Sequence, residues 1–179
     1  GAEKFFDIVA PQTGFRPEVA VLVASIRALH HHGGAGKNSL ADPDLRALAR
    51  GFANLDKHVE NLRKYGLPVV VAINRFLSDS QEELEALRRH CEEDLGVIAA
   101  ISDVVARGGE GGLALAESVL AHVGRGEFHS LFPMDLPVRE KLEVLAREIY
   151  GADGVDYLSA AETELDKLAR LGYDRLPVC

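Results

Sequence analysis

Three short apolar runs alternate with helical patterns along the first two thirds of the chain. Unbroken runs rich in β-branched residues indicate strands that are covered on both faces. These runs are Val19–Ala24, Pro68–Ile73 and Val97–Ile101. Apolar residues at helical spacing after each run predict a helix there. The three helices extend from Leu45 to Leu62, from Ser80 to Cys91 and from Leu113 to Val123.

Local signals predict where the first of these helices begins and ends. Asp42 followed by Pro43 indicates an N-cap and a proline at the first helical position, and Gly66 marks the end of the helix. Strands that alternate with helices of this length can pair in parallel. The pattern therefore predicts a three-layer α/β/α fold with a mainly parallel sheet.

The C-terminal part of the chain has a different pattern. Residues 137–149 and 159–171 predict two helices with no strand between them, and Ser159 with Glu162 forms a capping-box signature. We therefore expect a parallel α/β portion over residues 1–130, which carries the ligand-binding edge. A helical extension over residues 131–179 is expected to pack on it and complete one compact unit.

Composition narrows the class of protein. The chain has 179 residues and a formal net charge of -8, which disfavours nucleic acid or an anionic membrane as the main partner. No apolar run approaches the roughly 20 residues of a membrane helix, and no signal peptide is visible. Cys91 and Cys179 have neither metal nor redox spacing, and Cys91 falls on an apolar helix face. A reduced cytoplasmic setting is the expectation.

Polar side chains follow each predicted strand where it ends. They are Ser25 with Arg27, Asn74 with Arg75, and Ser102 with Asp103. Because the carboxyl ends of parallel strands meet at one edge of a sheet, this edge is the predicted ligand-binding site. The Arg27 guanidinium suits a phosphate or a carboxylate ligand. A structural ion pair with one of the many acidic residues explains Arg27 equally well.

Three further segments contain residues that can carry chemistry. His30, His31 and His32 cannot all converge on one metal ion, and a loop hydrogen bond from His32 is the preferred role. The segment Gly33–Lys37 lacks the glycine spacing and the following Ser or Thr of a phosphate-binding loop. Glycine-rich Gly108–Gly112 follows a strand and opens a helix. It could bind an anion through backbone amides, or serve as a flexible hinge.

Several sequence blocks together resemble one enzyme family. Val23-Ala24-Ser25-Ile26-Arg27-Ala28-Leu29 leading into His32-Gly33-Gly34 resembles a signature of formate–tetrahydrofolate ligase. Similar blocks occur at residues 1–8, 51–55, 57–61, 71–74, 108–112 and 150–155, in the same order along the chain. The resemblance implies an α/β core related to P-loop nucleotide-binding proteins. It also implies that this chain is a piece of a longer polypeptide. The phosphate-binding loop of the family would then lie upstream, outside this piece.

The family resemblance implies a two-step ligation in the cytoplasm. Formate attacks the γ-phosphate of ATP to give formyl phosphate, and the N10 amine of tetrahydrofolate then takes the formyl group. ATP with Mg²⁺ and tetrahydrofolate are the expected substrates, a monovalent cation is a further candidate, and a homo-oligomer is expected. The catalytic residues are expected upstream, so the isolated chain should be inactive.

The resemblance also assigns individual residues. Phe76 matches an aromatic residue that packs on the pterin ring, and Ile101 matches an apolar residue of the same pocket. Val105 stands where the family often has a tryptophan that stacks on the pterin. The vicinity of the nucleotide or its phosphates is assigned to a second group: Arg27, Asn74, Ser102, Gly108 and Gly109.

Two other functions remain open at this point. One is a non-catalytic α/β module for interaction or oligomerisation, which Val105 and the absent loop favour. The other is a different nucleotide-dependent enzyme of the same fold.

Overall fold

A sheet of three parallel strands organises the α/β part of the chain. The computed structural model, which describes residues 2–179, has β1 at Ala20–Ala24, β2 at Val69–Asn74 and β3 at Ile98–Ser102. β2 lies between the other two strands. The register places Ile73 beside both Ala24 and Ile101. The predicted α/β fold with a parallel sheet is therefore confirmed.

Helices follow every strand, and others lie near the two ends of the chain. The N-terminal helix α1 begins with Ala2–Lys4, passes through a π-helical turn at Phe5–Val9 and ends with Ala10–Thr13. The helices of the α/β part are α2 at Ile26–His32, α3 at Leu45–Arg63, α4 at Gln81–Arg89, α5 at Val104–Arg107 and α6 at Leu113–Leu120. A π-helical turn at His90–Asp94 extends α4, and a 3₁₀ turn at Gly108–Gly112 joins α5 to α6. The C-terminal helices are α7 at Val138–Val144, extended by a π-helical turn at Leu145–Ile149, and α8 at Ser159–Arg170.

The main core lies between one face of the sheet and the helices α2, α3 and α4. It is a continuous cluster of buried apolar side chains. Its members are Ala24, Ile26, Leu29, Leu48, Leu55, Val59, Val69, Val71, Ile73, Leu84, Leu87, Cys91, Val97 and Ala99. Alternate strand residues point to the other face, where α6 contacts β2 and β3. The helices therefore lie on both faces of the sheet, as predicted.

The prediction that β1 is covered on both faces is wrong. β1 lies at an edge of the three-stranded sheet. Val21 and Val23, which point away from the main core, are 43% and 65% exposed. The continuous apolar run of β1 therefore resembles a buried central strand in sequence, although only one face is fully packed.

Two predicted helix starts also differ from the structure. Asp44, rather than Asp42, caps α3, because its carboxylate accepts hydrogen bonds from the N–H groups of Arg46 and Ala47. At the start of α8, no side chain of the predicted capping box caps the helix. The Glu162 carboxylate instead binds the guanidinium of Arg139.

The structure divides the chain into two units. The first consists of the N-terminal segment up to Pro17 together with Phe128–Cys179. The second consists of Glu18–Glu127 and contains the whole sheet and the main core. The predicted boundary at residue 130 and the packing of residues 131–179 on the α/β portion remain predictions.

A buried lysine fastens the C-terminal segment within the first unit. The Nζ of Lys141 donates hydrogen bonds to the carbonyl oxygens of Met134, Arg175 and Leu176, at 2.6, 3.0 and 3.1 Å. Desolvation lowers the pKa of Lys141 from its usual value. All three ammonium hydrogens nevertheless have acceptors, so this buried charge serves a structural role.

Close backbone contact sets the spacing between α2 and α3. A Cβ atom on Gly51 would lie 2.1 Å from the carbonyl oxygen of Leu29, and one on Gly33 would lie 1.8 Å from that of Ala47. Any larger residue at either glycine must separate the two helices. The two glycines therefore fix the position of α2, which carries Arg27.

Candidate ligand-binding edge of the sheet

The carboxyl ends of the strands bring several predicted site residues together. Asn74 at the end of β2 lies beside Ser102 at the end of β3. The N–H of Arg75 donates to the carbonyl oxygen of Ser102 at 3.1 Å, which extends the pairing past the strands. Ser25 follows β1 and caps α2 by accepting a hydrogen bond from the N–H of Ala28.

Arg27 and Phe76 form the central contact of this edge. The guanidinium carbon of Arg27 lies 4.6 Å from the ring centroid of Phe76, a cation–π arrangement. Nη2 of Arg27 also donates to Oγ of Ser78 at 2.9 Å. The loop after β2 is thereby joined to the first turn of α2.

Arg27 retains unused binding capacity. Its Nε is buried and has no hydrogen-bond partner. No carboxylate among residues 2–179 forms an ion pair with it, so the structural ion pair considered from the sequence is not formed. Arg27 is partly exposed as a whole, so the outer part of its guanidinium, rather than the buried Nε, is suited to an anionic ligand at this edge.

A tight turn presents Phe76. The carboxylate of Asp79 accepts from the N–H of Phe76 at 2.9 Å, and the N–H of Asp79 donates to the carbonyl oxygen of Phe76 at 3.0 Å. Leu77 at the tip is 88% exposed. Phe76 is itself partly exposed, so a ligand can reach the portion of its ring that Arg27 does not cover.

Asn74 supplies a polar group at the end of β2, whereas Ser102, its neighbour at the end of β3, is buried. The Asn74 amide is partly exposed and makes no side-chain hydrogen bond among the described residues. Next to it, the Arg75 guanidinium lies 3.7 Å from the carboxylate of Asp103. At this edge, the Asn74 amide is therefore available for a hydrogen bond, and it lies next in sequence to the Arg75–Asp103 ion pair.

The glycine-rich segment folds back on the end of β3. The N–H of Asp103 donates to the carbonyl oxygen of Gly111 at 3.0 Å, and a Cβ on Gly111 would lie 2.3 Å from the oxygen of Asp103. Gly108 has a φ of +58°, a region that L side chains rarely adopt. Gly108 and Gly109 are exposed, and neither would place a Cβ within 4 Å of another group. Their backbones are therefore open to close approach.

The two remaining predicted pocket residues occupy different surroundings. Val105 lies on α5 and is 67% exposed. Ile101 is partly buried and packs against the main core. Their roles in a pterin pocket remain predictions.

A buried histidine–glutamate pair, absent from the sequence interpretation, lies behind this edge. The side chains of His30 and Glu83 are only 1% and 2% exposed, and His30 Nε2 lies 2.8 Å from Glu83 Oε1. His31 and His32 are exposed. The preferred role for His32 is therefore wrong, since His30 is the histidine whose ring reaches a loop carbonyl, that of Leu40 at 3.0 Å.

Among residues 2–179, no group of three or more histidine, cysteine or acidic side chains could hold a metal ion. The described helices are also too short or too polar to cross a membrane.

Fold and edge together define an α/β protein whose candidate polar and aromatic site residues gather at the carboxyl ends of parallel strands, where α/β sheets usually bind ligands. The family model of formate–tetrahydrofolate ligase matches residues 1–179. The chain therefore belongs to the formate–tetrahydrofolate ligase family, and the resemblance seen in the sequence blocks is confirmed.

Proposed function

We propose that this chain supplies the pterin pocket and part of the nucleotide site of an ATP-dependent ligase. In the proposed reaction, formate and ATP give formyl phosphate and ADP. The N10 amine of tetrahydrofolate then attacks the formyl carbon, and phosphate leaves. Family membership supports the ligase class. The stack of Arg27 on Phe76 at the carboxyl edge is the observation that carries the assignment of the pocket.

Phe76 is suited to a flat heterocycle such as the pterin. Its ring is held by the Asp79 turn on one side of the loop and by Arg27 from α2. Aromatic surfaces bind other planar rings by offset stacking. The free amide of Asn74 nearby can pair with the polar edge of a bound ring. A planar, hydrogen-bonding ligand satisfies both groups at once.

Arg27 and the glycine segment are suited to the anionic substrates. Arg27 is partly exposed and forms no ion pair with a carboxylate of residues 2–179, and the exposed backbones of Gly108 and Gly109 allow a phosphate to approach closely. Such groups would position reactants and stabilise developing negative charge. Mg²⁺ would enter bound to ATP phosphates, so the chain need not supply a complete cage of ligands for it.

A calorimetric titration with tetrahydrofolate tests the pocket. We expect saturable binding to this chain, and a loss of at least about tenfold in affinity for Phe76→Ala, since an aromatic anchor is removed. Phe15→Ala is the matched control, because Phe15 is an exposed phenylalanine outside the α/β unit. Equal affinity of the Phe76→Ala variant and the control would contradict the assignment. Absence of binding to the unmodified chain would favour the interaction-module alternative.

We further propose that the isolated chain does not complete the ligation, because the phosphate-binding loop expected of the family is not found in it. Incubation with ATP, formate and tetrahydrofolate should then release no formate-dependent ADP. Release of ADP only when formate is present would contradict this proposal.

A further inference from the structure

We propose that His30 and Glu83 are positioning residues that hold the Arg27 guanidinium over the Phe76 ring. Their effect on ligand affinity rests on the proposed function. Their effect on the Arg27–Phe76 contact does not, because that contact exists within the chain itself.

The pair lies one helical turn from the contact. Arg27 and His30 are three residues apart on α2 and so lie on the same side of that helix. Glu83 lies in the first turn of α4, directly after the loop that carries Phe76 and Ser78. The bond between His30 and Glu83 thus joins the two segments whose side chains stack at the edge.

Glu83 gathers donors from three parts of the chain. Its Oε1 accepts from His30 Nε2 on α2 and from the N–H of Asp44 at the start of α3, both at 2.8 Å. Its Oε2 accepts from Oγ of Ser80, the N-cap of α4, at 2.7 Å. One buried carboxylate therefore sets the mutual positions of α2, α3 and α4.

The His30 ring is held between two oxygen atoms. Its Nδ1 lies 3.0 Å from the carbonyl oxygen of Leu40, and its Nε2 lies 2.8 Å from the carboxylate of Glu83. Burial alone raises the pKa of Glu83, but hydrogen bonds from Ser80, Asp44 N–H and His30 outweigh this effect and lower it. Charge-assisted bonds between buried groups are short and directional, which suits a positioning role.

Arg27 depends on this support because its other contacts at the edge are weak. The bond to Ser78 is exposed, and α2 has only seven residues, too few to be stable without tertiary contacts. The glycine contacts fix the distance of α2 from α3. The His30–Glu83 bond supplies the link to α4 and to the Phe76 loop.

Nuclear magnetic resonance of the arginine Nε–H groups tests this inference without ligand. The Arg27 signal is assigned by its loss in Arg27→Lys, and Phe76→Leu gives its position without the aromatic ring current. We expect His30→Gln to move the Arg27 signal at least halfway toward the Phe76→Leu position. A glutamine cannot reach Leu40 and Glu83 together, so α2 loses its buried hydrogen-bonded link to Glu83 of α4.

His90→Gln is the matched control. His90 also pairs with carboxylates, those of Asp56 and Asp94, but lies on the π-helical turn after α4. The same substitution there should leave the Arg27 signal in place. If His30→Gln does not fold, Glu83→Gln is examined in the same way, since its amide preserves the size of the side chain.

Tetrahydrofolate affinity provides the second readout. We expect His30→Gln to weaken binding about tenfold and His90→Gln to leave it unchanged. An Arg27 signal that stays in place in the folded variant overturns the positioning role, whatever happens to the affinity. A shifted signal with no tetrahydrofolate binding by the unmodified chain supports the positioning role and contradicts only the proposed function.

Discussion

At the residue scale, Val105 stands where the sequence resemblance predicts a tryptophan that stacks on the pterin. The side chain is 67% exposed on α5, directly after β3. Under the proposed function, a tryptophan there would give the pterin a second aromatic surface besides Phe76. A valine cannot stack, so under the proposed function the pocket has one aromatic wall.

Placing an aromatic ring at position 105 should strengthen tetrahydrofolate binding. We expect Val105→Trp to increase the affinity by about two- to tenfold, since an aromatic pair contributes about 0.5–1.5 kcal/mol beyond its buried area. The chain has no tryptophan, so the new residue is also a unique fluorescent probe. Fluorescence quenching during a titration measures the affinity, and calorimetry provides the comparison with the unmodified chain.

Val123→Trp is the control for that prediction, because Val123 is an exposed valine beyond α6. Its fluorescence should not respond to tetrahydrofolate. A response of equal size at both positions would contradict a pocket at Val105.

Cys91 illustrates how burial suppresses reactivity. Burial in the main core raises the pKa of its thiol to about 12, and the nearby Glu92 and Asp56 carboxylates add to the effect. At pH 8 only about one thiol in ten thousand would be ionised. We expect an aromatic disulfide reagent to label one thiol per native chain, the exposed Cys179, and two in denaturant. Rapid labelling of native Cys179→Ser would contradict this prediction.

Some residues at this edge of the sheet could be predicted from the sequence, and others could not. Asn74 and Ser102 were predictable, because each follows an apolar run and parallel strands end at one edge. The pairing of His30 with Glu83 was not, since 53 residues separate them and each fits an ordinary helical pattern. The sequence also does not show which of the three consecutive histidines is buried.

At the element scale, the position of α2 depends on how closely it approaches α3. The two glycine contacts place backbone directly against backbone. The helical pattern in the sequence predicts both helices, but it does not reveal this approach. The spacing of apolar residues shows which face of a helix is buried. It does not show how closely two helices approach, because that distance depends on residues of the other helix.

Gly51→Ala should destabilise the chain although alanine favours helix. Overpacking against Leu29 costs about 1–3 kcal/mol and the helix-propensity gain is about 1 kcal/mol, so we expect a net loss of about 1–2 kcal/mol in the free energy of unfolding. Denaturant unfolding followed by circular dichroism measures the change. Gly109→Ala is the control, since nothing lies within 4 Å of its added Cβ. A Gly51→Ala variant as stable as this control would contradict the close contact.

Helix starts were the least predictable feature of the elements. The sequence predicts Asp42 as the cap of α3, but the N–H groups of Arg46 and Ala47 donate to Asp44 instead. At α8 a suitable capping pair is present, but Arg139 binds Glu162 instead. Capping signals fail here because a tertiary partner competes for the same carboxylate.

At the scale of the whole molecule, Glu18–Glu127 has the properties of an independent folding unit. It contains all three strands and every member of the main core. We expect residues 18–127 alone to unfold cooperatively and to retain the Arg27 signal of the longer chain. Thermal melting and the same magnetic resonance spectrum check both points. A non-cooperative melt, or an Arg27 signal at the Phe76→Leu position, would contradict this autonomy.

The order of the strands has a consequence for folding during synthesis. Each strand pairs with the next one along the chain, so the sheet can grow as the polypeptide emerges, once the crossovers over residues 25–68 and 75–97 have been made. The first unit cannot do the same. Its N-terminal part meets Ser130 and Leu131 through Phe6 and Asp7 only after Glu18–Glu127 has been made. Helix α1 must therefore wait, without these partners, while the sheet assembles.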